Sequence, residues 1–165
     1  MRIKKAKETN GLEIATFGAG CFWGVEEVFY NIKGVESTEV GFMGGKTKNP
    51  SYNHVCVGNT GYAEVVQLKY NPKEVSYEDL LRIFWKIHNP TTKDRQGPDT
   101  GNQYRSVIFY HTSDQKTLAE KSKKGLEKSG RYKNPIVTEI KPACSFYRAE
   151  EHHQKYFLKN GSCPS

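Results

Sequence analysis

Glu64-Val65-Val66-Gln67-Leu68-Lys69-Tyr70-Asn71-Pro72, followed shortly by Ser76-Tyr77-Glu78-Asp79-Leu80-Leu81-Arg82-Ile83-Phe84-Trp85-Lys86-Ile87, decides the fold of this chain. The first run is short, β-branched at its start and closed by Asn-Pro, so it reads as a strand. In the second, Ser76 stands as an N-cap with Asp79 three residues on. Leu80, Leu81, Phe84 and Trp85 then fall on one helical face. The same strand-then-helix unit occurs upstream. Leu12 to Phe17 is strand-like, and residues 21–30 place Phe22, Val25 and Phe29 at spacings of three and four before Gly34 ends the helix. Val35 to Met43 supplies the intervening strand and Tyr104 to His111 the one after Ile87. The order through His111 is β-α-β-β-α-β, the ferredoxin-like pattern, and it predicts an α+β two-layer sandwich. A lysine-rich helix from Ser113 to about Ser129, a strand over Ile136 to Ile140 and a helix from about Ala149 to Leu158 complete the chain as a C-terminal coil and helix extension.

Two long polar loops interrupt this unit, residues 44–62 and 89–103, both rich in Gly, Asn, Pro or Thr. Loops of that length tend to carry function. They precede the strands that begin at Glu64 and Tyr104, which points to one site.

At 165 residues the expectation is a single catalytic domain over 1–165, with a flexible N-terminus (1–10) and a mobile tail (159–165). The net charge of +7 invites a nucleic-acid reading, but acidic residues are mixed into the lysine clusters and no binding motif accompanies them. No nucleic-acid partner is expected. Residues 1–10 are polar and basic, and no long apolar run follows, so neither signal peptide nor membrane association is expected. Cys21, Cys56, Cys144 and Cys163 contain no C-x-x-C pair. A cytoplasmic chain with reduced thiols is the reading, which makes a conspicuous cysteine a candidate for chemistry.

Cys21 is that cysteine. It lies behind Gly18-Ala19-Gly20 and before Phe22-Trp23-Gly24, where strand gives way to helix. Most single cysteines are buried packing residues. The first turn of a helix, with unpaired N–H groups and the positive end of the dipole, favours the thiolate instead. The Gly18, Gly20 and Gly24 spacing loosely matches a dinucleotide fingerprint, but Cys21 and Trp23 would fill the pyrophosphate's space.

Glu64 shares a strand face with Val66, Leu68 and Tyr70. Two outcomes are open for it: a poorly solvated carboxyl of raised pKa, suited to giving a proton at neutral pH, or a frayed strand end reaching water. Tyr52 and Tyr104 offer phenol donors at the same end of the sheet. Asp99, in Gly97-Pro98-Asp99-Thr100-Gly101, is either an Asx-turn residue or part of the site. His152 and His153 adjoin Glu150 and Glu151, but neighbouring helix residues diverge by about 100° and no H-E-x-x-H spacing exists, so no metal is expected.

Several stretches together resemble the peptide methionine sulfoxide reductase A family. They are Gly20-Cys21-Phe22-Trp23-Gly24, Gly44-Gly45 with Pro50-Ser51-Tyr52, Thr60-Gly61 through Ala63-Glu64-Val65-Val66, His88-Asn89-Pro90-Thr91-Thr92, Arg95-Gln96-Gly97, Gln103-Tyr104-Arg105-Ser106, and Ala149-Glu150 with His153-Gln154. The resemblance implies that Cys21 attacks the sulfur of a methionine-S-sulfoxide, free or in proteins, in repair of oxidised proteins. It implies Phe22 and Trp23 around the substrate methyl group and Glu64 as proton donor. Tyr52 and Tyr104 would bond the sulfoxide oxygen, and Asp99 and Tyr156 would sit at substrate positions. It also implies a Cys21 sulfenic acid, a disulfide with a second thiol, and thioredoxin (or a dithiol such as DTT) as reductant, with no bound cofactor and a monomeric protein. Cys163 is the expected resolving thiol, ahead of Cys56, which reads as a packed residue in a strand-like Val55-Cys56-Val57, and Cys144. Tyr62, Asn102 and Phe42-Met43 depart from the family's usual histidine, threonine and Tyr-Ala. Two other classes remain open: a peroxide-reducing or sensing thiol protein, which needs Cys21 but not Glu64, and a basic RNA-binding module, which needs exposed aromatics on the central strands.

Overall fold

The computed structural model describes residues 11–46, 48–56 and 60–161. Within them, β1 (Glu13–Ala19), α1 (Phe22–Tyr30), β2 (Val35–Met43) and β3 (Ala63–Tyr70) form the first half of the predicted unit. The strand pair β2 and β3 is joined through a loop containing the short helix α2 (Tyr52–Cys56). The helix α3 (Tyr77–Lys86) leads through a small hairpin, β4 (Arg95–Gln96) and β5 (Asp99–Thr100), and a 3₁₀ turn at Asn102–Tyr104 into β6 (Ser106–Tyr110). The remainder is α4 (Ser113–Lys128), β7 (Glu139–Pro142), β8 (Tyr147–Arg148), a 3₁₀ turn at Glu151–His153 and α5 (Tyr156–Asn160).

One sheet in the order β7-β6-β1-β3-β2-β8 organises the molecule. The four central strands pair antiparallel, and only β7 runs parallel to its neighbour β6. The α+β, ferredoxin-like pattern expected from the element order is therefore present, with α4 making the crossover to the added parallel strand. Period two decides what each face buries. Ala15, Phe17, Val66, Leu68, Tyr70 and Ile108 point into the main core, with Phe29, Leu80 and Phe84 from the helices. Phe17 stacks between α1 and α3, with its ring centroid 5.3 Å from both Phe29 and Phe84. On the other face a smaller core of Met43, Ala63, Val65, Val107 and Phe109 is covered by Ala143 and Phe146. Among the described residues no helix is long and apolar enough to cross a membrane.

The N-terminus of α3 follows the sequence reading closely. Asp79 N–H donates to Ser76 Oγ at 3.0 Å, and Ser76 N–H donates to Asp79 Oδ2 at 3.1 Å. Replacing the cap is expected to cost about 1 kcal/mol. Ser76→Ala should thus lower the urea midpoint without altering the slope of the transition or the activity, since the cap lies far from the site.

Several boundaries differ for identifiable reasons. The strand after Pro135 starts at Glu139, not Ile136, because Val137 N–H bonds Pro90 O at 2.8 Å instead of joining the ladder. Tyr104 ends a 3₁₀ turn instead of starting a strand, because ladder pairing begins where Ser106 meets Ala19. The expected helix from Ala149 is broken at Lys155, a non-glycine residue at φ 51°. Cys56 was expected in a packed strand and is instead exposed at the end of α2. Ser51 starts that helix, its Oγ accepting from His54 N–H and its carbonyl from Val55 N–H, which turns Val55 inward and Cys56 outward.

Candidate active site

β1 delivers the chain to the site through a turn that only glycine adopts without strain. Gly20 sits at φ +100°, directly before Cys21 as N-cap of α1. Gly18 admits close contact: a Cβ there would lie 2.8 Å from Val107 Cγ1 and 3.1 Å from the Glu64 carbonyl. These approaches hold Cys21 beside the start of β3. Phe22, next in the chain, donates its backbone N–H to Glu64 Oε1 at 3.1 Å.

Glu64 is 1% exposed, and its Oε2 has no hydrogen-bond partner among the described residues. Burial raises its pKa from 4.5 to about 8; the Phe22 N–H pulls the other way and the Asp99 charge adds to the rise. Of the two outcomes open at the sequence level, burial is realised. At neutral pH the carboxyl keeps its proton, and the unbonded oxygen is free to donate it.

The thiol behaves differently from the helix-start expectation. The Trp23 and Gly24 N–H groups do favour the Cys21 thiolate, but burial outweighs them, and the charges of Glu64 and Asp99 add to it. The Cys21 pKa is pushed up to about 12. Desolvation of an anion exceeds the gain from two amide contacts. In the resting protein Cys21 is a neutral thiol.

Tyr52, at the start of α2, and Tyr104 complete one polar wall. Burial pushes both phenols well above their ordinary range, and the charge of Glu64 raises each further. The Tyr104 phenol also feels Asp99 and Cys21, which places these groups around one space. The two long loops are tied together at this point by Arg105, which donates to Gly61 O at 3.0 Å and to Asn102 O at 2.9 Å. His88 fixes the end of α3 behind it: Nδ1 donates to Phe84 O and Nε2 accepts from Ser106 Oγ, each at 2.7 Å. Burial holds its pKa down at about 4, so it is neutral.

The apolar wall is aromatic. Phe22 is fully buried against Phe42 and Tyr52. Trp23 lies parallel to Tyr156 at 3.8 Å between centroids and parallel to Tyr52 at 6.5 Å. Every site residue expected from the sequence that falls within the described chain is thus brought to one place: Cys21, Phe22, Trp23, Tyr52, Glu64, Asp99, Tyr104 and Tyr156. Cys163 lies outside the described residues. Cys144 is exposed, on the segment that covers the opposite sheet face. Of the departures, Tyr62 packs its ring where a Cβ on Gly45 would collide with it, and Phe42 fills space against Phe22.

Three residues have structural roles that the sequence does not assign, although His153-Gln154 belongs to the resembling stretches. His153 Nδ1 accepts from Trp23 Nε1–H at 3.1 Å, and its ring lies 4.2 Å from that of Tyr52, tilted by 32°. Gln154 is buried and forms hydrogen bonds with both N–H and C=O of Val40. Glu26 is a buried carboxylate that accepts from Thr38 Oγ1 at 2.7 Å and from Lys155 N–H at 2.6 Å. Together they set the backbone break at Lys155 that lays Tyr156 on Trp23. A signal existed for Glu26, a carboxylate four residues from Phe22 on the apolar stripe of α1. Among the described residues no group of three or more His, Cys, Asp or Glu is arranged to hold a metal ion.

Comparison with known proteins shows the family. A family model described as peptide methionine sulfoxide reductase matches residues 13–164. Peptide methionine sulfoxide reductase MsrA of Methanosarcina mazei is 62% identical over 151 residues, covering 92% of this chain and 72% of that protein. Mxr1 from Saccharomyces cerevisiae in reduced form has a TM-score of 0.87 at 36% identity, covering 94% of this chain and 90% of that one. Mxr1 in complex with Trx2 has a TM-score of 0.63 at 26% identity, covering 94% of this chain and 88% of that one.

Proposed function

The chain belongs to the peptide methionine sulfoxide reductase family and is an oxidoreductase acting on methionine sulfoxide; from that premise we propose that it reduces the S epimer, in proteins or free, by attack of the Cys21 thiol on the sulfoxide sulfur. The observation that carries this reading is Glu64, buried, protonated at neutral pH and bonded to the amide next to Cys21. Sulfoxide sulfur is a good electrophile only when its oxygen is protonated or strongly hydrogen-bonded, and a neutral acid in an apolar site supplies that proton.

In the reaction, Phe22 and Trp23 enclose the methyl group, with Tyr156 and Asp99 lining the rest of the substrate site. Tyr52 and Tyr104, kept protonated by their raised pKa, donate to the oxygen. As Cys21 Sγ bonds to sulfur, its proton is lost and the oxygen gains one from Glu64. The hydroxyl then moves from the substrate sulfur to Sγ, with the S–O bond and the new Sγ–S bond both breaking, to give Cys21 sulfenic acid and methionine, while the thiol proton restores Glu64. The Trp23 and Gly24 amides, which already favour negative charge at Sγ, act during this transfer. A second thiol, Cys163 in this reading, condenses with the sulfenic acid and releases water. Thioredoxin, a choice supported by the Mxr1 complex with Trx2, then returns the disulfide to two thiols. A monomeric, cytoplasmic repair enzyme contained in a single domain fits this chemistry.

The test uses separated epimers of a methionine sulfoxide peptide with DTT. The S epimer should be reduced and the R epimer left untouched; no reduction of the S epimer sinks the reading. With Cys163→Ser, one equivalent of methionine should form per enzyme, followed by arrest when thioredoxin is the only reductant. Continued turnover would move the resolving role to Cys56 or Cys144.

A further inference from the structure

Tyr30 and Leu158 are the large apolar side chains that stand exposed among the described residues, at 40% and 62%. Both line the same cleft, between α1 and α5. Its other walls include Trp23, Tyr156 and Phe157, and it encloses about 40 Å³. A single exposed hydrophobe needs no explanation, whereas two meeting at one depression mark a contact surface. Trp23 and Tyr156, stacked on each other, belong both to this cleft and to the site around Cys21. Lys155 holds the rim in place, with Nζ 5.9 Å from the centre of the Tyr30 ring and hydrogen-bonded to Thr38 O.

We propose that this cleft is a subsite for one apolar side chain of the polypeptide that carries the methionine sulfoxide. The proposal rests on the function given above and deepens it: the enzyme distinguishes peptide substrates by an apolar residue a few positions from the sulfoxide. The spacing supports this. Tyr30 is nine residues beyond Cys21, about 13 Å along a helix axis at 1.5 Å per residue. An extended substrate chain covers that distance in about four residues. A cleft of about 40 Å³ has room for the end of one side chain.

The experiment measures binding of two fluorescein-labelled peptides to Cys21→Ser protein by anisotropy. Each peptide holds one methionine-S-sulfoxide, flanked three and four positions away on both sides by leucine in one case and serine in the other. The leucine peptide should bind about tenfold more tightly. Adding Tyr30→Ser and Leu158→Ser should erase that preference. In protein with Cys21 intact, the same double substitution should leave kcat/KM for N-acetyl methionine-S-sulfoxide unchanged, which also shows that the site is still folded. Equal affinity for the two peptides, or a preference that survives the double substitution, overturns the proposal. So does a double variant whose defect is confined to KM for thioredoxin. If N-acetyl methionine-S-sulfoxide is not reduced even by the unaltered enzyme, the functional reading fails, and the anisotropy comparison still decides the cleft by itself.

Discussion

Cys21→Ser is expected to remove methionine sulfoxide reduction, a fall on the order of 10⁴-fold or more, because no other group at the site can take the oxygen. Serine keeps the size of the side chain and its place as N-cap of α1, so the fold should persist with an unchanged unfolding midpoint. The measurement is single-turnover formation of methionine from an S-sulfoxide peptide with enzyme in excess. Activity near the wild-type level would transfer the nucleophile's role elsewhere. The same residue gives a second readout in the unaltered protein. With its pKa pushed up to about 12, Cys21 should react slowly with iodoacetamide at pH 7, and its rate should still be climbing above pH 9. A plateau near pH 6 would mean that the helix-start amides prevail over burial after all.

Glu64→Gln is expected to lower kcat by roughly 10²- to 10⁴-fold, the range of a lost general acid. Glutamine still accepts the Phe22 N–H and still donates a hydrogen bond, but it cannot transfer a proton. The pH profile separates these functions. The folded protein holds the Glu64 proton up to about pH 8, so the unaltered enzyme should lose rate as pH rises through that value, while the residual rate of Glu64→Gln should not fall there. Stability moves in a linked way. The folded carboxyl ionises near 8 and the unfolded one near 4.5, so folded chains bind more protons between these limits. The favourable contribution is full below about 4.5 and declines as pH rises toward 8. Above that, Glu64→Gln should be more stable than the parent, by a few kcal/mol at most, as a buried charge gives way to a neutral amide. Urea unfolding at pH 6 and pH 9 reads the crossover.

How far the sequence was legible depended on the range of the forces involved. Ser76 and Asp79 gave the start of α3 because capping is settled within one turn. The face of Glu64 followed from strand period alone, since alternation is local. Whether that face was dry at the strand's end was not local, because dryness comes from the helix layer packed over β3. The Cys21 thiol shows the same division. Its helix-start amides were readable from Gly20-Cys21-Phe22-Trp23, and they do act on Sγ, but the burial that overrides them comes from elements distant in sequence. Cys56 was misplaced because Val55-Cys56-Val57 favours a strand by propensity, while Ser51 and the inward turn of Val55 made a helix.

His153, Gln154 and Glu26 mark the limit most clearly. Trp23 and His153 are 130 residues apart, and no periodicity on either segment signals that one accepts the other's N–H. The left-handed backbone at Lys155 likewise depends on a carboxylate from α1. By itself, then, the sequence determined the order of the main strands and helices and the glycine turn that presents Cys21, and it named the side chains proposed to do the chemistry. Only the tertiary structure decided which protons those side chains hold and how the aromatic wall is oriented. Both depend on desolvation and on hydrogen bonds between distant segments, and neither exists until the layers have closed.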